Sequence, residues 1–247
     1  MPGDKKNWSV KHIVQEIDGD FLRRMTIGRI LDHVSMISTL HVNEGFGISE
    51  KQMRDCRAVF MLAKLSVKYY EDIFADEEIT LKTTPAEPRR AVWQRCTSLT
   101  KNDGTVAAEV DAKWVLVDPE KRRILRAAPA ELGLDLTGYE APFSHDFLPL
   151  RPENKDEMTF ISEERAVYSR VDKNMHMNHA RYADIVMDAM GFERFKEGRP
   201  KQFCISYHKE LPMGESLKLY GGKNGEADVY KGVLEDGSCS FEASVIF

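Results

Sequence analysis

The stretch VDKNMHMN, residues 171–178, carries polar side chains of useful chemistry at alternate positions: Asp172, Asn174 and His176. Side chains two positions apart lie on one face of an extended segment, so these three are expected to converge. An acid, an amide and an imidazole together can polarise a carbonyl group. Singly, each is more often a turn or core residue, so the prediction depends on their joint spacing.

A helix is predicted directly after this stretch. Asn178 is a favourable N-cap, and apolar residues recur at helical spacing from Tyr182 to Met190. The first turn of a helix presents free N–H groups and a partial positive charge. The backbone at Asn178 and His179 is therefore the expected oxyanion site.

The composition is that of a globular protein of 247 residues, with 42% hydrophobic and 30% charged side chains. A net charge of -5 argues against nucleic acid as the partner. No apolar run approaches the roughly 20 residues of a membrane span, so no membrane insertion is expected. The first residues lack the apolar core of a signal peptide and the four cysteines form no close pair, so a cytoplasmic location is expected.

One order of elements is predicted twice: a strand, a long helix and then four strands. A proline-rich stretch joins the two sets. The predicted boundaries are 1–127 for the N-terminal half, 128–155 for the linker and 156–247 for the C-terminal half.

The two halves differ at the polar triplet. Aligning Gly45 with Gly191, an offset of 146 (191 − 45), places Thr26, Gly28 and Ile30 opposite the triplet. This alignment predicts a single active site, in the C-terminal half.

The helix of the N-terminal half has an unusually broad apolar surface. Core packing accounts for most of it, and the functional hypothesis is a lining for a long apolar ligand. The candidate lining residues are Ile27, Ile30, Leu31, Val34 and Ile37.

Residues 172–182, DKNMHMNHARY, resemble the motif D-x-N-x-H-x-N-N-x-x-Y of acyl-acyl-carrier-protein (acyl-ACP) thioesterases of the plant and bacterial type. The sequence YHKE at 207–210 resembles the Y-x-x-E that follows some thirty residues later in that family. With the element order, the resemblance extends from about Trp8 to Phe247. It implies a tandem hot-dog fold of class α+β, in which each half wraps a curved antiparallel sheet around a long helix.

The resemblance implies that Asp172, Asn174, His176 and Glu210 are catalytic. It implies hydrolysis of fatty acyl-ACP to free fatty acid and ACP, ending chain elongation, without cofactor or metal. His179 replaces the second Asn of the motif. Leu211 stands where plant members carry a cysteine once considered as a nucleophile, so a carboxylate or water route is required.

A thioester needs less catalytic help than an amide, because its thiol leaving group has a pKa near ~8.5. Asp172 or Glu210 either activates water or attacks the carbonyl directly, and both routes stay open here. Asn174 is expected to orient the carboxylate or the water. His176 is expected to move a proton or keep the acid ionised.

Three alternatives also stay open. One is an acyl-CoA thioesterase of the same fold, and another is a non-catalytic acyl- or ACP-binding protein. The third is a zinc site formed by Asp172, His176, His179 and His208, although their spacing matches no zinc signature.

ACP is acidic as a class, so an enzyme of net charge -5 is expected to meet it through a local basic patch. Two clusters are candidates, with a solvated charged surface as the alternative for each. They are Lys121, Arg122, Arg123 and Arg126, and Arg194, Lys196, Arg199 and Lys201. Since tandem halves already form a dimer-like unit, a monomer or a homodimer is expected.

Overall fold

The computed structural model describes residues 6–121, 123–154 and 157–247, which contain eleven strands. The strands are β1 (Trp8–Ile13), β2 (Val59–Tyr69), β3 (Glu78–Pro85), β4 (Val92–Lys101), β5 (Val106–Asp118), β6 (Arg123–Leu125), β7 (Thr159–Arg165), β8 (Gln202–Tyr207), β9 (Ser216–Asn224), β10 (Ala227–Leu234) and β11 (Cys239–Ile246). They form one antiparallel sheet in the order β1-β3-β4-β5-β2-β8-β11-β10-β9-β7, with β6 added beside β5.

The strand order is mirrored about the β2–β8 pair. The strands β1, β3, β4, β5 and β2 form one half, and β7, β9, β10, β11 and β8 repeat their order in the other. Ser66 of β2 pairs with Cys204 of β8 at the centre of the junction. The predicted tandem of strand, helix and four strands is therefore confirmed as one continuous sheet.

The sheet wraps two long helices, α1 (Ile27–Leu40) and α3 (His179–Met190). Their predicted positions are confirmed. They pack side by side, and a Cβ on Gly28 of α1 would lie 1.9 Å from Asp184 Oδ1 of α3. Glycine is therefore required for this close approach.

Two short helices, α2 (Glu50–Asp55) and α4 (Phe192–Glu197), were not predicted. Each has six residues, too few to show a helical period. Both follow a long helix, and α2 is fixed at its start by a capping box between Ser49 and Gln52.

The halves superpose in a different register from the predicted one. Thr26 and Asn178 are the N-caps of α1 and α3, an offset of 152 (178 − 26). The predicted offset of 146 was wrong because a π-helical turn, His41–Gly45, extends α1, whereas α3 ends directly at Gly191. The helix-to-strand connection of the first half is longer, as expected.

After the helices, residues of the first half correspond to residues of the second half at a different offset, 138 (211 − 73). The pair that defines it is Ile73 and Leu211, whose carbonyls accept from the N–H groups of Met25 and Met177 at 2.7 and 2.8 Å. These two offsets identify the residues of the first half that correspond to the candidate active site.

The stretch between the halves packs on the sheet rather than standing away from it. Leu132 and Leu136 are buried with Trp93 and Leu116 in a second, smaller core. Further along, the Asp146 carbonyl accepts from Gln202 Nε2 at 2.7 Å. None of the helices formed by the described residues is both long enough and apolar enough to cross a membrane.

Candidate active site

Residues 171–177 form a tight turn rather than the predicted extended segment. The Asp172 N–H donates to the His176 carbonyl (2.9 Å), and the Met175 N–H donates back to the Asp172 carbonyl (3.1 Å). Met175 takes a left-handed φ of 65°. The turn forms because Asp172 Oδ1 accepts the Asn174 N–H at 2.8 Å, the local contact by which aspartate competes with extended structure.

The side chains of Asp172 and Asn174 also contact each other. Asn174 Nδ2 donates to Asp172 Oδ2 at 3.3 Å. Both carboxylate oxygens of Asp172 therefore accept hydrogen bonds from one residue. This arrangement orients the exposed Asn174 amide and partly occupies the aspartate.

The start of α3 lies directly beyond this turn. Asn178 caps the helix as predicted, with its Oδ1 accepting the Ala180 N–H at 2.9 Å, and its own N–H donates to the Arg170 carbonyl at 2.8 Å. Within the described part of the chain, the His179 N–H is thus the first-turn donor left unused. Of the two predicted oxyanion donors, Asn178 and His179, only the backbone N–H of His179 is therefore available.

Glu210 reaches the turn from the strand side. The segment after it is held at both ends: the Leu211 carbonyl accepts the Met177 N–H (2.8 Å), and the Leu211 N–H donates to Tyr182 Oη (3.2 Å). Leu211 is fully buried and aliphatic. Tyr182, the last position of the motif, was predicted only as an apolar helix residue, yet it supports the segment that carries Glu210.

One side-chain contact between catalytic candidates links the turn to the segment of Glu210, and it joins His176 and Glu210. His176 Nδ1 lies 3.2 Å from Glu210 Oε2, although the two atoms are not aligned as a hydrogen bond. The Glu210 side chain is 53% exposed and that of His176 32% exposed. Solvent therefore reaches the Glu210 carboxylate, whereas the Nδ1 atom of His176 is buried.

The pKa of Tyr182 shows that the two carboxylates share this region. Burial raises the pKa of the phenol, hydrogen bonds from Ser240 and Leu211 oppose that effect, and the negative charges of Glu210 and Asp172 raise it further. The charges of Asp172 and Glu210, on two different segments, thus both act on the Tyr182 hydroxyl.

The structure separates the four residues of the alternative zinc hypothesis. His179 Nε2 lies 2.9 Å from Ser35 Oγ of α1, and burial lowers the pKa of its imidazole. His208 Nε2 lies 3.1 Å from Glu242 Oε2. With both imidazoles directed elsewhere, Asp172 and His176 are not part of a metal-binding cluster among the described residues.

The first half contains a turn of the same form. Asp20 Oδ1 accepts the Leu22 N–H at 2.8 Å, and the Asp20 N–H donates to the Arg24 carbonyl at 2.8 Å. At the offsets of 152 and 138, the counterparts of Asp172, Asn174, His176 and Glu210 are Asp20, Leu22, Arg24 and Asp72. The first half keeps two acids and lacks the amide and the imidazole, which corrects the predicted match with Thr26, Gly28 and Ile30.

Comparison with protein families identifies the chain. Residues 5–132 match the model of the acyl-ACP thioesterase N-terminal domain, and residues 153–240 match that of the C-terminal domain.

The chain belongs to the acyl-ACP thioesterase family.

This acyl-ACP thioesterase is a thioester hydrolase that releases fatty acid from acyl-ACP. A search of the curated proteins found no match. The fold of this chain is similar to that of an acyl-ACP thioesterase from Bacteroides thetaiotaomicron, with a TM-score of 0.82 at 18% identity over 98% of each chain.

Two further solved structures share the double hot-dog fold. A putative oleoyl thioesterase from Lactobacillus plantarum gives a TM-score of 0.81 at 17% identity, covering 99% of this chain and 96% of the other. The 12:0-ACP thioesterase from Umbellularia californica gives 0.79 at 14% identity, covering 97% and 96%.

The thioesterase has a cavity of about 390 Å³ at the turn of its first half, with a mostly apolar lining that also includes Asp20, Arg24, Asp72, Asp188 and Arg199. Ile27 lines this cavity, together with residues of α3 and α4 such as Met187 and Phe192. All five residues predicted to bind the acyl chain belong to the packed main core, and the other four do not line this cavity: Ile30, Leu31, Val34 and Ile37.

The two candidate basic clusters differ in how far their charges are already paired. In the second cluster, Arg194 pairs with Asp228, Lys196 with Glu193 and Arg199 with Asp72, and Lys201 Nζ donates to the Phe247 carbonyl. In the first cluster, Lys121, Arg123 and Arg126 are exposed, and Arg122 lies outside the described residues. The first cluster is therefore better suited to an external acidic partner.

Proposed function

We propose that this thioesterase hydrolyses its substrate at the turn of residues 172–176, with Glu210 as the general base and His176 as its partner. The observation that carries the proposal is the 3.2 Å approach of His176 Nδ1 to Glu210 Oε2. The Glu210 carboxylate is 53% exposed and can accept a proton from water, whereas both oxygens of Asp172 are engaged by Asn174. Asp172 thus positions the turn and the Asn174 amide.

Hydrolysis at this site runs through a tetrahedral intermediate. Glu210 takes a proton from water as the water oxygen attacks the thioester carbonyl carbon, and the carbonyl oxygen becomes an oxyanion. The His179 N–H and the Asn174 amide are the donors placed to stabilise it. Collapse breaks the C–S bond, and the proton held by Glu210 returns to the thiolate directly or through His176. The products are a fatty acid and the free thiol of the carrier.

An exposed basic cluster away from the turn favours an acidic carrier protein, which is large enough to reach it, over acyl-CoA. Lys173 of the catalytic turn pairs with Glu50 of α2, and Arg57, just after α2, pairs with Glu120 at 3.0 Å. Glu120 immediately precedes the exposed Lys121 and Arg123. A continuous surface therefore connects the turn with the basic cluster, on which an acidic carrier would dock.

The acyl chain is assigned to the N-terminal half, residues 1–127, and catalysis to the C-terminal half, residues 156–247. Supporting this division, the first half lacks the imidazole and amide and has the apolar cavity at Ile27. His179 contacts Ser35, and Ile27 lies eight residues earlier on α1, about 12 Å along the helix. We place the enzyme in the cytoplasm. We also propose that it is a monomer, because the strand pairing of β2 with β8 already joins two halves within one chain, as a dimer of single halves would.

The decisive experiment compares Glu210→Gln with Glu215→Gln, an exposed carboxylate in the same loop, on acyl-ACP and acyl-CoA of matched chain length. Glu210→Gln is expected to lower kcat by about 10²–10⁴ with an unchanged melting temperature. Glu215→Gln is expected to match the wild type. Wild-type activity in Glu210→Gln would refute the assignment of the base, and equal kcat/KM on both carriers would refute the preference for ACP.

A further inference from the structure

A compact group of metal-ligating side chains lies in the first half, away from the candidate active site. His12 of β1 and His33 of α1 both direct Nε2 at the carboxylate of Asp18, each 3.2 Å from one of its oxygens. The two imidazole rings are 4.1 Å apart between centroids. All three ligand atoms lie within 4.8 Å of one another.

The carboxylate at the centre of this group is buried, with Asp18 5% exposed. Its partners are the Gln15 N–H and the two imidazoles, and no lysine or arginine of the described ranges pairs with it. A metal ion held by the carboxylate and the two imidazoles would offset the cost of burying the negative charge.

The second half shows that a metal-type ligand set is not required for the fold here. At the offset of 152, the counterparts of His12, Asp18 and His33 are Glu164, Arg170 and Ile185. Arg170 pairs with Glu164 at 2.7 Å, and this ion pair joins the strand β7 to the 3₁₀ helix Tyr168–Arg170. Ile185 is buried in the core. In the first half all three positions instead carry groups that ligate metals.

We propose that His12, Asp18 and His33 bind one divalent transition-metal ion, with Zn²⁺ the best match. Zinc prefers imidazole nitrogen and carboxylate oxygen at about 2.0–2.2 Å in tetrahedral geometry, which sets neighbouring ligand atoms about 3.3 Å apart. Each Nε2 lies 3.2 Å from a different oxygen of Asp18, and the three ligand atoms lie within 4.8 Å of one another, so small side-chain shifts would bring them to this spacing. The fourth ligand is water, reached through the imidazoles, whose side chains are 21% and 15% exposed. The ion would tie β1 to α1.

A second group of potential ligands serves as an internal control. His208, Cys239 and Glu242 also lie within 4.8 Å of one another. There, however, Arg151 already pairs with Glu242 at 2.7 Å. A metal ion would have to displace the Arg151 guanidinium or bind beside its positive charge. This second group is therefore not expected to bind zinc tightly.

The test uses the full chain stripped with a chelator and titrated with Zn²⁺ by calorimetry, with melting temperature as a second readout. Wild type and His208→Gln are expected to bind one equivalent and to melt at a higher temperature with zinc. His33→Gln, which keeps an N–H donor for Asp18, is expected to bind at least about 100-fold more weakly, since even supporting residues of zinc sites contribute 10–100-fold. The proposal would be overturned if the wild type did not bind one equivalent of zinc, or if His33→Gln bound zinc as tightly as the wild type. It would also be overturned if His208→Gln, rather than His33→Gln, lost zinc binding.

Discussion

Asp20 and Asp172 occupy the same position in two copies of the same turn, and each accepts the backbone N–H two residues ahead at 2.8 Å. One lies in the half without the catalytic imidazole and the other in the half with it. The turn therefore accounts for an aspartate in both halves, whereas a role in the chemistry is proposed for Asp172 alone. The two roles can be separated by substitution.

Replacing either aspartate with alanine is expected to destabilise the fold, because the turn loses its capping acceptor. Asp172→Ala is expected to lower the free energy of unfolding by about 1 kcal/mol. Asp20→Ala is expected to cost more, about 2–3 kcal/mol, since Asp20 also pairs with the largely buried Arg24 at 3.1 Å. Urea denaturation followed by fluorescence measures both values.

The asparagine variants serve as controls, because asparagine keeps the Oδ1 acceptor. Asp20→Asn is expected to leave kcat unchanged, and Asp172→Asn is expected to lower kcat by less than Glu210→Gln does. If Asp172→Asn were the more damaging of the two, Asp172 rather than Glu210 would be the base.

Charge reversal on the exposed basic cluster is expected to weaken recognition of ACP selectively. The triple variant Lys121→Glu, Arg123→Glu and Arg126→Glu removes the attraction to an acidic carrier and adds repulsion. Its kcat/KM on acyl-ACP is expected to fall at least about tenfold at low salt, with acyl-CoA hydrolysis unchanged. Steady-state kinetics at two ionic strengths provide the measurement.

The control is a double reversal in the other cluster, Lys196→Glu with Lys201→Glu. Both lysines are exposed, but each already contacts a group of the chain itself. An equal loss in both sets of variants would indicate a general charge effect instead of a docking surface.

Enlarging Ile27 is expected to shift the chain-length profile towards shorter acyl groups. Ile27→Phe fills part of the cavity of about 390 Å³. Both Ile27 and Ile30 are buried in the main core, where overpacking costs about 1–3 kcal/mol, but only Ile27 also borders the cavity, so a larger side chain there has space on one side. Product analysis across a series of acyl-ACP lengths gives the profile.

Opening the same cavity is expected to have the opposite effect. Phe192→Ala removes an exposed cavity-lining ring that packs edge-on against Phe21. Phe160→Ala removes a ring of similar exposure, packed edge-on against Tyr220 at the far strand β7. A longer-chain profile for Phe192→Ala and a wild-type profile for Phe160→Ala are expected, and identical profiles would place the acyl chain elsewhere.

His179 is expected to make the fold sensitive to acid. Burial lowers the pKa of its imidazole below the ordinary 6.5, and the helix N-terminus also disfavours a cation there. The unfolded chain therefore binds the proton first, so the stability contributed by neutral His179 is complete above pH 6.5 and is lost as the pH falls through the folded pKa. His179→Gln is expected to lose less unfolding free energy than the wild type between pH 7.5 and 5.5. Parallel slopes for the two proteins would contradict this.

The sequence by itself determined the tandem architecture, and it predicted which half carries the chemistry. Helical spacing and N-capping placed α1 and α3 because both are local properties of the chain. Local pattern also indicated Asp172, Asn174 and His176 as one unit. The prediction of an extended backbone for these residues was wrong. Polar residues at alternate positions occur both in strands and in turns, and only the hydrogen bonds distinguish the two.

The tertiary structure decided which distant groups meet. Glu210 approaches His176 because Tyr182 and Met177 hold the following segment, a contact between positions far apart in sequence. The correct register between the halves, which makes Asp20 the counterpart of Asp172, depends on where the π-helical turn ends α1. The group of His12, Asp18 and His33 likewise joins a strand, a turn and a helix whose spacing matches no sequence motif. Such contacts arise from the packing of whole elements, and pattern along the chain does not encode them.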